Sequence, residues 1–315
     1  MLRLAGLLLI LVSAPLAAQT IAFISDLNGR YGSTSYDKRV TDAIDTLVGL
    51  RPDLVISGGD MVAGQKQPKL DRDRLEQMWQ GFNNTVADPL RRAGIPLAVT
   101  AGNHDGSAFP EFALERQQFD LQWRRRVPEV DILPGSDWPR RYAARMGSVL
   151  LLAFDGTLPG RLPDTERLFL ERMLQQYGNS ATATIVFSHL PMWPLTRGRE
   201  HEIIDDPDLL ALLHRNGVDV YASGHHHAFF AGTDDAGMVH LGIGALGGNA
   251  RAFSGTGSRQ PFSFALLTLE GGEVSVISRA APGFQDEVPA TQLPAAITGP
   301  LGTLRRMDGP VRLRP

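Results

Sequence analysis

Leu54-Val55-Ile56-Ser57-Gly58-Gly59-Asp60 is the stretch on which the fold turns. Three branched aliphatic residues and a serine make a short buried strand, and two glycines then let the chain turn before it presents a carboxylate. The same pattern stands on either side. Ile21-Ala22-Phe23-Ile24 runs into Ser25-Asp26, and a strand from Pro96 to Thr100 runs into Gly102-Asn103-His104-Asp105. Between them lie two helical patterns: Val40, Ile44, Leu47 and Val48 within 40–50, and the stripe Leu75, Met78, Trp79, Phe82, Val86 and Leu90 within about 71–92. Strand, helix, strand in succession predicts βαβ crossovers feeding a parallel sheet, and so an α/β class.

Toward the C-terminus the rhythm loosens and then resumes. Residues 111–126 read as a helix, and 130–141, with its prolines and tryptophan, reads as an inserted loop that overhangs a site. The strand 149–154 follows, then a helix over about 164–177, the strand Thr184-Ile185-Val186-Phe187 ending at Ser188-His189, a helix over 207–215, and the strand Val218–Tyr221 leading to Gly224-His225-His226-His227. Residues 238–243, 262–269 and 273–278 read as strands of a second, more antiparallel sheet joined by glycine-rich turns. From about Pro282 the chain is rich in proline and glycine, so 283–315 reads as an extended or mobile tail beyond a catalytic domain of 19–282. No internal repeat occurs.

The N-terminal residues have another character. Met1-Leu2-Arg3, the apolar run Leu4 to Val12 and Ser13-Ala14-Pro15-Leu16-Ala17-Ala18 have the charge, apolar core and small-residue end of an export signal over 1–18, cleaved after Ala18. The run falls well short of the ~20 residues that span a bilayer, so a soluble, periplasmic or secreted protein without a stable membrane anchor is expected. The formal charge of -3, from 31 basic and 34 acidic residues, indicates no nucleic-acid partner. With no cysteine in 315 residues, thiolate ligands and cysteine nucleophiles are excluded, and any metal must be held by oxygen and imidazole.

Such donors are present in quantity. Asp26, Asp60, Asn103, His104, His189, His225 and His227 each follow a short apolar strand, and in open α/β sheets ligands gather at the carboxyl ends of strands. Singly, each is an ordinary turn residue. Jointly, Asp26-x-Asn28, Gly59-Asp60, Gly102-Asn103-His104-Asp105, His189 and Gly224-His225-x-His227 resemble the calcineurin-like metallophosphoesterase family in identity, order and spread over about 21–280. The resemblance implies a four-layer α/β/β/α sandwich with two mixed β-sheets. It implies roles as well: Asp60 bridging two divalent metals, Asp26 and His227 on the first, Asn103, His189 and His225 on the second, and His104 near the leaving group with Asp105 orienting it.

One position departs from the family. Its first motif usually reads Asp-x-His, whereas Asn28 stands here, so the first metal would have a neutral amide oxygen in place of imidazole and a weaker hold. The related purple acid phosphatases also lack that histidine but place a tyrosine ligand three residues after the bridging aspartate, where this chain has Ala63. The chemistry implied is hydrolysis of a phosphomonoester or phosphodiester, small or macromolecular, by a hydroxide bridging the two metals. His104, an imidazole able to give a proton near neutral pH, would serve the leaving group. Manganese suits the oxygen-rich donor set best, with iron or zinc as alternatives. His226, Trp193, Arg197 and Arg199 are candidate substrate contacts. His201, His214 and His240 read as surface or packing residues, Arg124-Arg125-Arg126 as a solvated helix face, and the absence of a Gly-x-Ser-x-Gly elbow sets a serine hydrolase aside. The rival from another class is a metal- or phosphate-binding protein of the same fold with weak or lost turnover.

Overall fold

The computed structural model describes residues 18–257 and 259–314; of the export signal only Ala18 is among them. The chain opens with β1 (Gln19–Ile24), α1 (Lys38–Leu50), β2 (Leu54–Ser57), α2 (Arg72–Phe82), α3 (Asp88–Arg92) and β3 (Leu97–Val99). α2 and α3 are two parts of the helix expected over 71–92, joined by a π-helical turn at Asn83–Ala87. Asp71 caps α2 by accepting from Arg74 N, and the whole apolar stripe from Leu75 to Leu90 is buried. β1 pairs in parallel with β2, and β2 with β3.

There follow α4 (Asn103–Gly106), α5 (Ala113–Arg124), β4 (Asp131–Ile132), β5 (Tyr142–Met146), β6 (Val149–Ala153), α6 (Asp164–Tyr177), β7 (Ala183–Ser188), α7 (Pro207–Arg215), β8 (Val220–Ser223), β9 (Phe230–Thr233) and β10 (Val239–Gly242). The chain ends through β11 (Ser263–Glu270), β12 (Glu273–Ala280), β13 (Ala296–Gly299), β14 (Gly302–Arg306) and β15 (Val311–Arg312). One sheet has the order β15-β12-β11-β1-β2-β3; the other has β13-β14-β9-β10-β8-β7-β6-β5-β4. Both are mixed: β6, β7 and β8 run parallel, as do β8 and β10, while β11 lies antiparallel to β1.

The two-residue period of a strand builds the layers. In β1, Ile21 and Phe23 join the core between the sheets, and Ala22 and Ile24 join the core under α1 and α2. In β6, Val149, Leu151 and Ala153 face the first sheet, while Leu150 and Leu152 face Phe169, Leu170, Leu212 and Leu213 of α6 and α7. Both faces of the central strands are therefore apolar, and the result is a helix-sheet-sheet-helix sandwich.

Three expectations are corrected. Residues 238–243 do not share a sheet with 262–269 and 273–278. β10 joins β8, and β11 and β12 extend β1, because alternation specifies a strand's buried face but not which sheet edge it completes. The stretch read as a tail, 283–315, is no free tail over its described residues 283–314: β13 pairs with β14 and β14 with β9, β15 pairs with β12, and Ile297 and Leu304 are buried. The loop 130–141 does not overhang the candidate site: none of its residues lines the cleft around Asp60, His225 and His227. It supplies the short edge strand β4, and its Trp138 Nε1 donates to Trp123 O at 2.7 Å, with the ring against Tyr142.

Candidate metal centre

The candidate ligands leave strands of both sheets and meet where the sheets face each other. Asp26 follows β1, Asp60 follows β2, Asn103 opens α4 after β3, His189 follows β7, and His225 and His227 follow β8. Hydrogen bonds cross the gap between the sheets: His225 N donates to Asp26 Oδ2 at 3.0 Å, and His189 Nδ1 meets Gly58 O at 2.7 Å. Asp26, Asp60, His225 and His227 all hold left-handed backbone, with φ of 52°, 54°, 63° and 53°. For residues with a Cβ this costs roughly 1–2 kcal/mol each, strain characteristic of functional loops. Gly102 is required as glycine, since a Cβ there would collide with the backbone of Asp60.

Nitrogen by nitrogen, the histidines are arranged for a cation. His189 Nδ1 faces Gly58 O, His227 Nδ1 faces Asn249 O at 2.7 Å, and His225 Nε2 faces Glu202 Oε2 at 2.6 Å. In each ring the nitrogen meeting an oxygen carries the proton, so in the neutral imidazole the other nitrogen presents a lone pair. Those lone pairs point inward at further acceptors. His189 Nε2 stands 2.9 Å from Asn103 Oδ1, 3.5 Å from Asp60 Oδ1 and 3.2 Å from His225 Nδ1; His227 Nε2 stands 3.1 Å from Asp26 Oδ1. Asp26 Oδ1 is buried and has no hydrogen bond of acceptable geometry. Acceptors meeting acceptors in a buried site require positive charge between them.

Lacking that charge, protons are drawn in. Burial disfavours a charged imidazole, yet the Asp60 carboxylate raises His189 to about 9. Burial would raise Asp26, but the neighbouring His227 holds it at about 2. His225, with burial dominant over its Glu202 bond, falls to about 4 and stays neutral, as a ligand must. Asp60, His189 and His225 offer donor atoms within 4.8 Å of one another. The residues thus fit two cations: Asp60, Asn103, His189 and His225 would hold one, and Asp26, Asp60 and His227, with Asn28 beside them, the other.

The model for the calcineurin-like phosphoesterase family matches residues 19–229, two thirds of the chain. The chain belongs to that family. Purple acid phosphatase 18 of Arabidopsis thaliana is 26% identical over 236 residues, covering 70% of this chain and 48% of that protein, so the chain spans about half the length of the curated relative it matches. The fold is that of a dimetal phosphatase from Danio rerio (16% identity, 87% of this chain and 98% of that chain, TM-score 0.56). It is also that of GAP50, the anchor in the inner membrane complex of Plasmodium (14% identity, 95% of this chain and 90% of that chain, TM-score 0.57).

Around the family's ligand set the remaining candidates divide. His104 N donates to Asp60 Oδ1 at 2.8 Å, its Nδ1 meets Gly64 O at 3.2 Å, and its Nε2, 3.8 Å from Asp60 Oδ2, is left for the cleft. Asp105 does not orient that ring. Its two oxygens accept from Gly102 N and Met61 N, each at 2.6 Å, so it ties together the two loops that carry Asn103 and Asp60. Burial, with Asp60 nearby, raises its carboxyl to about 7. Asn28 is buried and lines the cleft; among the described residues its side chain makes no protein hydrogen bond. Ala63 is buried, and Tyr36, which donates to Met61 O, points elsewhere, so the tyrosine ligand of purple acid phosphatases has no counterpart at that position.

His226 and Trp193 are corrected as substrate contacts. Left-handed backbone on both sides turns His226 away from its neighbours; it is wholly buried, with Nδ1 accepting from Leu195 N and Thr196 N and Nε2 facing Glu202 O. Trp193 is buried against His240, and its Nε1 donates to Gly302 O. Arg197 is exposed and lines no part of the cleft. Arg199 does line it, in a cavity of about 730 Å³ shared with Asn28, Tyr31, Asp60, His104, His225, His227 and Arg251.

Four residues escaped the sequence reading. Glu202 accepts from His225 and ion-pairs with Arg199. Arg251 Nη1 donates to His225 O at 3.0 Å. Gln65 Oε1 accepts from Asn103 Nδ2 at 3.0 Å, which turns the Asn103 oxygen toward His189, and Gln65 holds φ 60° because both oxygens of Glu115 accept its N–H. No local motif marks any of them.

Proposed function

We propose that the chain hydrolyses phosphoesters with two divalent cations, manganese being the best match to its oxygen-rich donors. The observation that carries this reading is the set of inward nitrogens: His189 Nε2 facing Asp60, Asn103 and His225 Nδ1, and His227 Nε2 facing Asp26. Cations bound there supply neutralisation of phosphate charge and activation of water. The chain's own residues do the rest. Asp60 would be shared by the two cations; Gly58, Asn249 and Glu202 fix the three imidazoles through their outer nitrogens. His104, tethered by Gly64 O, offers Nε2 to the cleft and gives a proton to the departing oxygen. Tyr31, 58% exposed with its ring 5.2 Å from that of His104, is an apolar surface for the leaving group.

The test is turnover of p-nitrophenyl phosphate and bis-p-nitrophenyl phosphate by metal-loaded protein, with metal content measured alongside. His104→Ala should lower turnover ~10²–10⁴-fold and leave metal content near that of the wild type. Asn28 favours a second reading, a binding protein of the same fold. Metal-loaded wild type that binds phosphate but turns over neither substrate would establish it. The proposal includes export, supported by the composition of Met1–Ala18; an intact Met1 on protein recovered from the exporting cell would refute that part. Among the described residues no helix is long and apolar enough to cross a membrane.

A further inference from the structure

We propose that Arg251 and Arg199 form an anion subsite that makes this chain select phosphomonoester dianions over diesters; the inference rests on the phosphoesterase reading above. Arg251 is the anchor. Its Nη1 is held by the carbonyl of His225, itself a candidate metal ligand, so the guanidinium lies one residue's reach from the metal centre. The remaining nitrogens of Arg251 make no protein hydrogen bond among the described residues, and no carboxylate there pairs with it. Glu202, which also acts on this arginine, is already engaged twice, by Arg199 and by His225 Nε2. Both guanidinium groups line the one cleft.

Arg251 thus keeps donors free in the same cleft as a second guanidinium. A partly buried guanidinium with unmet donors beside a second cation is stabilised when an anion joins it. The cleft it lines also holds Asp60, His104, His225 and His227, so the anion and the reacting phosphate share one space. A guanidinium presents parallel N–H donors matched to two phosphate oxygens. A monoester dianion has one more unesterified oxygen and one more charge than a diester, and this surplus is what the arginines can engage. A diester brings a second carbon substituent toward the same wall, which strips water from two cations without replacing it by charge.

The experiment compares kcat/KM for p-nitrophenyl phosphate and bis-p-nitrophenyl phosphate in metal-loaded wild type, Arg251→Gln, Arg251→Lys and Arg199→Gln. Calorimetric binding of inorganic phosphate and metal content are measured on each. Arg251→Gln can still donate to His225 O while losing the charge. The wild type should prefer the monoester; in Arg251→Gln the monoester-to-diester ratio should fall about tenfold, with phosphate affinity falling alongside and metal content unchanged. Arg251→Lys should recover part of both. Should Arg251→Gln lose metal, Arg199→Gln carries the comparison with the same expected direction. A wild type that prefers diesters, or an unchanged ratio in a variant with full metal content, overturns the subsite while leaving the phosphoesterase reading intact. Absence of turnover on both substrates, with phosphate binding that is lost in Arg251→Gln, overturns the phosphoesterase reading and keeps the subsite.

Discussion

Two clusters of histidine and aspartate lie in this molecule, and they are wired in opposite senses. At the candidate metal centre the imidazoles give their N–H groups to oxygens outside the cluster and turn lone pairs inward onto Asp26, Asp60 and Asn103. Around Asp234 the reverse holds. His214 Nε2 and His240 Nε2 both meet Asp234 Oδ2, at 2.7 and 3.0 Å, while Ala236 N and Met238 N donate to Oδ1 at 3.0 Å each. Every acceptor position of that carboxylate has a proton, so nothing is left for a cation. The same residue types make a ligand site or a structural clasp according to which nitrogen faces the carboxylate.

Asp60 and Asp234 test that contrast most sharply. Asp60→Ala should abolish binding of both metals and lower turnover on the order of 10³-fold or more, because it is the carboxylate proposed to be shared by the two cations. A variant that keeps both ions would show that Asp60 is not shared.

Asp234→Asn should do the opposite: keep metal and turnover and lose about 2–3 kcal/mol of folding free energy, several degrees in Tm, by turning one acceptor oxygen into a donor that faces imidazole N–H. The pH dependence follows from sign. Burial opposes ionisation of Asp234, but the bonds from His240 and His214 outweigh it and hold its pKa below the ordinary carboxylate value. Its contribution is therefore fully present above about pH 4 and is lost as pH falls below that. Thermal melts should show the gap between wild type and variant narrowing below about pH 4. Loss of metal by Asp234→Asn would break the contrast between the clusters.

The candidate ligands were legible because each ends a short apolar strand, where a lone polar residue beside glycine has few structural reasons to exist. What was illegible depends on contacts between distant residues. The sheet to which β11 and β12 belong follows from the free edge of β1, some 240 residues earlier in the chain. The proline- and glycine-rich end gave no periodicity, yet β14 completes the edge beside β9 and its Gly302 O satisfies Trp193, which is why that tryptophan is unavailable to substrate. Three consecutive histidines hid a reversal: left-handed backbone at His225 and His227 sends His226 into the core. Glu202 and Arg251 reach His225 from 23 and 26 residues away, with no spacing rule to announce them.

The contrast sharpens at Gln65, which belongs to neither cluster yet determines how one ligand of the first is turned. An asparagine amide can face a cation with its oxygen only if something accepts from its nitrogen, and Gln65 Oε1 is that acceptor. Gln65→Leu should weaken the tighter metal site about tenfold in calorimetric titration, with Gln65→Glu, which keeps an acceptor, retaining most of the affinity. Equal loss in both variants would mean that the left-handed turn at 65, rather than its side chain, is what matters.

The smallest expected effect, and the most specific, is a gain. Asn28 is the position where an imidazole is absent, so the site built on Asp26, Asp60 and His227 has one strong nitrogen donor while its neighbour has two, from His189 and His225. Wild-type protein after dialysis should therefore retain one metal and require added manganese for the second. The space for a donor exists, because Asn28 faces the cleft with its side chain free of protein hydrogen bonds among the described residues. Tyr31 lies against His104, and Tyr36 donates its hydroxyl to Met61 O, so neither ring fills that space by an existing bond to Asn28. Asn28→His should tighten the weaker site by about tenfold, the gain expected when imidazole replaces a neutral amide oxygen, and should lower the manganese concentration needed for half-maximal turnover. Metal titration of the two proteins decides it: equal affinity at both sites in the wild type, or no tightening in the histidine variant, would show that position 28 does not face the metal and that the asymmetry of the centre lies elsewhere.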